Sequence, residues 1–278
     1  MEVSQSLKSV LKRLKLSGIL ITLPDRTAYA RKSKLALPDF LELVLQDEID
    51  RREYKNLATR LSKACFEQEQ TLESFDWDAP ITFDRDRVRD LFGLGFLERH
   101  EDVLLLGPVG VGKTFIASAL GHAACRAGKR VRFLRADTML RELGQARADH
   151  TVDKCMRALL TPELLIIDDF GLRRLDARAS SDIYEIIIER HRRSSTIFTS
   201  NRDVTEWIPL FDDSILAQSA LDRLAHNAHQ VVIEGDSYRK RLAPGNPHSE
   251  TSPTNGSGAT TADAPGAGLP PRSEPADQ

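Results

Sequence analysis

Residues 103–114 read Val103-Leu104-Leu105-Leu106-Gly107-Pro108-Val109-Gly110-Val111-Gly112-Lys113-Thr114, an apolar run followed by a glycine-rich loop. The loop matches the pattern G-x-x-x-x-G-K-[ST], and apolar residues at helical spacing follow it from Phe115. Its glycines allow backbone conformations that turn several N–H groups toward one point, where a helix N-terminus adds positive potential. The alternative, a glycine-rich turn in which the lysine occurs by chance, fits less well between an apolar run and a helical pattern. The pattern therefore predicts a phosphate-binding loop between a strand and a helix.

Two side chains of this loop are candidates for direct contact with a nucleotide. Lys113 would place its ammonium group on the β- and γ-phosphates. The hydroxyl of Thr114 would be a ligand of Mg²⁺. The loop therefore predicts a nucleotide with β- and γ-phosphates, together with Mg²⁺, as the cofactors.

Polar residues also end two further apolar runs. Leu164–Ile167 leads into Asp168, which we expect beside the loop in the Mg²⁺ shell. The next residue, Asp169, would point toward the γ-phosphate and orient or deprotonate water, although a helix N-cap or a structural acid is an open alternative. Thr196–Thr199 leads toward Asn201, a candidate ligand of the γ-phosphate or of the water. Ordinary turn chemistry is the alternative for Asn201.

Five short apolar runs alternate with helical stretches in this half of the chain. They are Val103–Leu106, Val131–Leu134, Leu164–Ile167, Thr196–Thr199 and Gln230–Ile233. Several are apolar throughout, as expected for parallel strands that helices cover on both faces. The pattern predicts a doubly wound α/β domain with a five-stranded parallel sheet.

The first 80 residues have helical periodicity. Leu7, Val10, Leu11 and Leu14 predict a first helix, with Gly18 as its C-terminal cap. A second long helix should begin at Pro38 and Asp39 and run to about Phe66, with Pro24 starting or kinking a shorter helix between the two.

Charge is polarised along these helices. Residues 1–35 carry a net charge of +6 and residues 36–80 a net charge of −6, although the whole chain has a charge of only −2. The basic end is a candidate phosphate-binding surface, with a solvated helix face as the alternative. Its candidate DNA contacts are Lys8, Lys12, Arg13, Lys15, Arg31, Lys32 and Lys34.

Composition excludes several other classes of protein. Hydrophobic residues make up 41% of the chain and charged residues 29%, which is ordinary for a globular protein. We expect no transmembrane helix and no signal peptide, and three reduced, buried, cytosolic thiols rather than disulfides.

The expected organisation is a helical domain in residues 1–70, a linker in 71–100, a nucleotide-binding core in 101–242 and a disordered tail in 243–278. The tail has seven prolines and five glycines.

Together, the loop, the acid pair and Asn201 resemble the AAA+ ATPases, a family of P-loop NTPases. The chain is more closely similar to the IstB group, ATPase helpers of insertion-sequence transposition that are related to the helicase loader DnaC. The matching segments are Leu11–Gly18, Thr71–Asp76, Ile166–Gly171, Phe198–Arg202 and Gly235–Arg239. The resemblance implies an ATPase that binds duplex DNA through its N-terminal helices with weak sequence specificity. It also implies ATP-dependent self-association and a transposase partner encoded nearby.

Two departures from the AAA+ pattern affect the expected mechanism. Many members have Glu where this chain has Asp169, and a helical lid usually follows the fifth strand, whereas we expect none here. The resemblance implies that Arg223 completes the site of a neighbouring subunit as an arginine finger; a surface arginine paired with Asp222 or Asp182 is the alternative. Arg239 would take the place of the arginine that a lid would supply.

Three functional hypotheses follow. The first is an ATP-dependent, DNA-binding transposition helper that presents target DNA to a transposase and has no strand-transfer chemistry of its own. The second is a replicative helicase loader similar to DnaC. The third is a structural P-loop fold without turnover. No membrane partner is expected.

Overall fold

The structure, a computed structural model, describes residues 3–68, 70–77 and 79–237. Its strands are β1 (Ile81–Thr82), β2 (Asp102–Leu106), β3 (Val131–Arg135), β4 (Leu164–Phe170), β5 (Ser195–Ser200), β6 (Ala228–Val232) and β7 (Glu234–Gly235). Its α-helices are α1 (Gln5–Arg13), α2 (Ile19–Ser33), α3 (Leu37–Ala64), α4 (Arg85–Phe92), α5 (Gly95–Glu98), α6 (Lys113–Arg126), α7 (Ala136–Ala148), α8 (Val152–Leu160), α9 (Ala177–Arg190) and α10 (Ser214–His226). Short 3-10 helices occupy Leu72–Ser74 and Val204–Leu210.

Five parallel strands form the central sheet in the order β3-β4-β5-β2-β6. All five predicted strands are present, so the predicted α/β class is confirmed. The strand that precedes the loop, β2, lies between β5 and β6 and is buried along its whole length. The carboxyl ends of β2, β4 and β5 therefore meet at one edge of the sheet.

Hydrophobic layers cover both faces of the sheet because strand side chains alternate between them. Leu104 and Leu106 of β2 belong to a cluster with residues of α7, α9 and α10. Val103 and Leu105 belong to a second cluster with residues of α4, α5 and α6. Burial on both faces explains why these strands are apolar throughout.

The N-terminal helices have a small core of their own, built around Leu11, Ile19 and Val44. The end of α1 differs from the prediction: Lys15 adopts the left-handed conformation, with φ = 58°. The N–H of Leu16 donates to the carbonyl of Leu11, which closes a Schellman motif without a glycine.

Gly18 precedes α2 and has ordinary helical dihedral angles, so its prediction as the cap of α1 is wrong. A Cβ atom there would lie 2.2 Å from Oε2 of Glu48, so this glycine permits close packing of α3. Pro24 lies within α2.

Helix α3 begins and ends close to the predicted bounds and has 28 residues, about 42 Å at 1.5 Å per residue. Near its start it packs on α2, where Arg26 and Asp47 form a bidentate ion pair at 2.7 and 2.8 Å. Near its end, Ala64 is fully buried against the sheet cluster, and Nε of Arg60 donates to the carbonyl of Cys125 at 2.9 Å. One continuous helix thus connects the N-terminal core with the sheet.

Several remaining expectations concern the thiols and the end of the chain. Cys125 is buried as predicted, Cys155 is only half-buried, and Cys65 is exposed. The prediction of burial is wrong for Cys65 because its position at the end of α3 leaves it open to solvent. In the described ranges, no helix is long and apolar enough to span a membrane. The expected tail (243–278), the expected absence of a lid and Arg239 all lie outside the described residues.

Candidate functional site

The loop Gly107–Thr114 follows β2 directly; its glycines adopt positive φ angles, and two of them, Gly107 and Gly110, are also closely packed. Gly107, Gly110 and Gly112 have φ angles of 147°, 88° and 94°. A Cβ atom on Gly107 would lie 2.0 Å from the carbonyl oxygen of Ile233, and one on Gly110 would lie 2.1 Å from Oγ of Ser237. The segment after β6 therefore lies directly on the loop, and side chains at these positions would displace it.

Lys113 is the first residue of α6 and is 6% exposed. Its Nζ donates to the carbonyl oxygens of Gly107 at 2.8 Å and Pro108 at 2.6 Å. The ammonium group thus lies inside the loop, at the N-terminus of α6. Val111 anchors the loop in the hydrophobic core, whereas Val109 is exposed. A cation, a helix N-terminus and glycine-shaped backbone together fit a phosphate group.

A buried polar cluster lies beside the loop and centres on Asp168, which is 3% exposed. Thr114 Oγ1 donates to its carboxylate at 2.9 Å, and Thr199 Oγ1 donates to the same carboxylate at 2.5 Å. Burial raises the pKa of Asp168, and the neighbouring charge of Asp169 adds to this, while the two threonine hydrogen bonds lower it. A hydroxyl and a carboxylate are oxygen ligands that Mg²⁺ prefers, and a divalent cation would favour the charged carboxylate.

Asp169 has different hydrogen-bond partners from Asp168. It has φ = 56°, within an irregularity of the β4–β5 ladder between Ile167 and Phe170. Its backbone N–H donates to Oγ1 of Thr199 at 2.9 Å, and its partly exposed carboxylate pairs with Nη2 of Arg135 at 2.9 Å. The two acids therefore share Thr199 as a support but have different surroundings.

Two of these partners were missed by reasoning from the sequence. The sequence-based prediction gives Thr199 no role in the site, although a hydroxyl on a fully buried strand needs partners. Arg135 ends β3, and only the register that pairs it with Asp168 brings it next to the acid pair.

Asn201 is exposed directly after β5. The end of β5 is held against the loop, since the N–H of Gly107 donates to the carbonyl of Ser200 at 3.1 Å. Oγ of Ser200 donates to the carbonyl of Phe170, which joins β5 to the residues after the acid pair. The structure thus brings Asn201 to the same sheet edge as the loop and Asp168.

Arg223 does not reach the loop of its own chain. It lies in the last turn of α10, and the following Asn227 accepts a hydrogen bond from the N–H of Asp102, the first residue of β2. This is the edge where the strands begin, opposite the loop. Arg223 is exposed and donates to Oγ of Ser219 at 3.2 Å. Its proposed alternative partner Asp182 is instead paired with Arg147.

An aromatic cluster lies next to α6 and was not recognised as a unit in the sequence. Phe75 packs on Trp77 and on Phe115, at centroid distances of 4.9 and 5.4 Å, and approaches Gly112. Phe83 also contacts Phe75. The short sheet of β1 and β7 joins this segment to the chain that covers the loop.

The predicted DNA contacts lie on the N-terminal helices and their connections. Six of the seven side chains are exposed, and Lys8 is half-buried. The exposed ones are Lys12, Arg13, Lys15, Arg31, Lys32 and Lys34. Arg26, also on α2, has its guanidinium held by Asp47.

Comparison with known proteins agrees with this architecture. The family model of the IstB-like ATP binding protein matches residues 9–244. An insertion-sequence ATP-binding protein of Mycobacterium tuberculosis is 42% identical over 241 residues, covering 86% of this chain and 96% of that protein. The ATP-binding protein of insertion sequence IS21 from Pseudomonas aeruginosa is 36% identical, covering 84% of this chain and 88% of that protein.

Solved structures share the fold at lower sequence identity. DnaI is 20% identical with a TM-score of 0.51, covering 59% of this chain and 91% of that chain. The replication initiator DnaA bound to AMPPCP and single-stranded DNA is 21% identical with a TM-score of 0.51, covering 62% of this chain and 52% of that chain. The predicted P-loop AAA+ fold is confirmed, and the match over most of the sequence shows that this chain belongs to the IstB-like ATP-binding protein family.

Proposed function

We propose that this protein hydrolyses ATP with Mg²⁺ and serves as a DNA-binding helper of a transposase. The observation that carries the ATPase proposal is the Thr114–Asp168–Thr199 cluster directly beside the glycine loop. Bound Mg²⁺ would neutralise charge on the β- and γ-phosphates. Thr114 and Asp168 would hold the metal, and Lys113 would bind the phosphates. Asp169 would orient or deprotonate water, with Asn201 as a second polar ligand at that edge.

Self-association would complete the site. Arg223 lies at the sheet edge opposite its own loop, so it can act as an arginine finger only on a neighbouring copy. Arg239 remains a proposed phosphate contact. Mixing the Arg223→Ala and Lys113→Ala variants tests the arginine finger. In the mixture, a copy with an intact loop can lie next to a copy with an intact Arg223, and ATP hydrolysis should recover at that interface. No recovery in the mixture would argue against action in trans.

The N-terminal helices would bind DNA. In this proposal, residues 1–70 form the DNA- and partner-binding domain, residues 71–100 form the linker, and residues 101–242 form the ATPase core. The exposed lysines and arginines support phosphate contacts that depend on salt more than on sequence. The similarity to insertion-sequence proteins supports a transposase partner.

The decisive assay measures ATP hydrolysis with and without duplex DNA, using Lys113→Ala and Asp169→Asn. Lys113→Ala should lose ATP binding, because the loop loses its ammonium group. Asp169→Asn should retain ATP and DNA binding but hydrolyse slowly. Normal turnover in both variants would refute the site. Co-purification with a replicative helicase, without stimulation of a transposase, would favour the helicase-loader hypothesis instead.

A further inference from the structure

The chain directly after β6 runs along the glycine loop, and we call residues 233–237 the strap. The carbonyl oxygen of Ile233 occupies the space that a side chain on Gly107 would need, 2.0 Å from the Cβ position. Oγ of Ser237 does the same at Gly110, 2.1 Å from the Cβ position. The strap therefore follows the loop residue by residue, and the side chain of Ser237 ends at the middle of the loop.

Backbone contacts hold the strap in this position at two points. The N–H of Ile233 donates to the carbonyl of Leu106 at 2.8 Å, which continues the pairing of β6 with β2. Further along, Gly235 pairs with Ile81 in the antiparallel β7–β1 ladder. Gly235 has φ = 136°, and a Cβ atom there would lie 2.6 Å from the carbonyl oxygen of Pro80. The place of Ser237 thus follows from contacts that do not involve its own side chain.

The hydroxyl of Ser237 differs from three other hydroxyls near the loop. Thr114 and Thr199 donate to the carboxylate of Asp168. Ser200 donates to a backbone carbonyl. Ser237 is half-buried, and its side chain forms no hydrogen bond with any residue in the described ranges. Since a hydroxyl has one donor and two acceptor lone pairs, an unused donor lies beside a loop that fits a phosphate group.

We propose that Ser237 is a nucleotide contact, whose hydroxyl donates a hydrogen bond to a phosphate oxygen of a nucleoside triphosphate in the loop. The inference rests on the proposed binding of ATP by this loop. A phosphate group is an anionic acceptor, so this hydrogen bond is stronger than one between neutral groups. The contact needs no movement of the backbone, because the β7–β1 ladder already holds the strap against Gly110. The strap would thus bind nucleotide within its own chain, whereas Arg223 can act only on a neighbouring copy.

Equilibrium titration of the full chain with a fluorescent, non-hydrolysable ATP analogue and Mg²⁺ tests this contact. Ser237→Ala removes one oxygen atom and adds no bulk beside Gly110. The dissociation constant of this variant should rise about tenfold, as expected for the loss of one hydrogen bond to a charged group. Without nucleotide, its melting temperature should equal that of the wild type, because the hydroxyl has no partner among the described residues. With the analogue present, the melting temperature should rise less than that of the wild type.

The matched control is Ser194→Ala. Ser194 is also half-buried, its side chain forms no hydrogen bond in the described part of the chain, and it lies just before β5, at the sheet edge opposite the loop. This variant should bind the analogue like the wild type. Wild-type affinity of Ser237→Ala would overturn the proposal, and so would an equal loss of affinity in Ser194→Ala. A lower melting temperature of Ser237→Ala without nucleotide would also overturn it, because the hydroxyl would then support the fold.

Lys113→Ala separates this proposal from the proposed nucleotide site itself. If the wild type fails to bind the analogue, or if Lys113→Ala binds it normally, the proposed site is wrong and the Ser237 contact is wrong with it. If Lys113→Ala loses binding while Ser237→Ala binds normally, the loop binds nucleotide without Ser237, and only the present inference fails.

Discussion

Replacing Thr199 by valine should weaken both the fold and the ATPase, because one buried hydroxyl supports both acids of the candidate site. Thr199 is 0% exposed; it donates to Asp168 and accepts from the N–H of Asp169. Valine has nearly the same shape but makes neither bond. A hydrogen bond to a carboxylate is worth about 1.5–3 kcal/mol, and a buried N–H left without a partner costs about 1–3 kcal/mol.

The expected loss of stability is about 2–4 kcal/mol, allowing for better burial of the added methyl group. Urea denaturation measures this loss directly. Turnover should fall about 10–100-fold, with a smaller change in ATP affinity, because the left-handed backbone at Asp169 loses the hydrogen bond that supports it. The range follows because each 1.4 kcal/mol added to the activation free energy lowers the rate about tenfold. The pKa of Asp168 should rise further, since the hydrogen bond from Thr199 lowers it.

Two variants make this test specific. Thr199→Ser keeps the hydroxyl and should retain most of the turnover. Thr196→Val lies on the same strand but removes a hydrogen bond from Nε of Arg190, away from the loop. It should lose stability without slowing turnover in the folded protein. The reasoning is refuted if Thr199→Val has wild-type stability and turnover, or if Thr196→Val slows hydrolysis equally.

Three further changes have defined outcomes. Arg135→Ala releases the carboxylate of Asp169 from an ion pair that is about half exposed. Because such ion pairs contribute at most about 1 kcal/mol, the basal rate of ATP hydrolysis should rise, but by no more than about fivefold. An unchanged rate in a steady-state assay would mean that the ion pair does not restrain Asp169. Burial raises the pKa of Asp102 to about 7, so between about pH 4 and pH 7 the folded state holds a proton that the unfolded state releases. The free energy of unfolding should therefore fall as the pH rises through this range. Asp102→Asn should flatten this pH dependence in thermal melts. Lys32→Gln/Lys34→Gln should reduce the slope of log DNA affinity against log salt by about 1.8 if both side chains touch phosphates. The exposed Lys154→Gln on α8 serves as its control and should leave the slope unchanged.

The parts of the site that lie within one segment could be predicted from the sequence. The loop from Gly107 to Thr114 and the acid after an apolar run each combine a local pattern with a local structure. The predicted placement of Asp168 beside the loop followed from the rule that parallel strands end at one edge. The structure brings Thr114 within hydrogen-bond distance of Asp168, although 54 positions separate them.

Features that depend on register between segments could not be predicted in this way. The pairing of Arg135 with Asp169 needs the alignment of β3 with β4 and the irregularity that separates the two acids. The prediction for the end of α1 is wrong because Lys15 adopts a conformation that glycine prefers, while a Cβ atom at Gly18 would lie within 2.2 Å of the side chains of Arg51 and Glu48. Composition and spacing contain no information on either contact.

The continuity of α3 has a mechanical consequence. Its final turns lie against β3 and α6, the helix that begins at Lys113, while its first turns belong to the N-terminal core. A stiff rod of about 42 Å converts a tilt of about 5° at the sheet into a shift of roughly 4 Å at its far end. Small rearrangements around the loop would therefore be amplified as movement of the basic helices, and a load on those helices would be transmitted back to the loop.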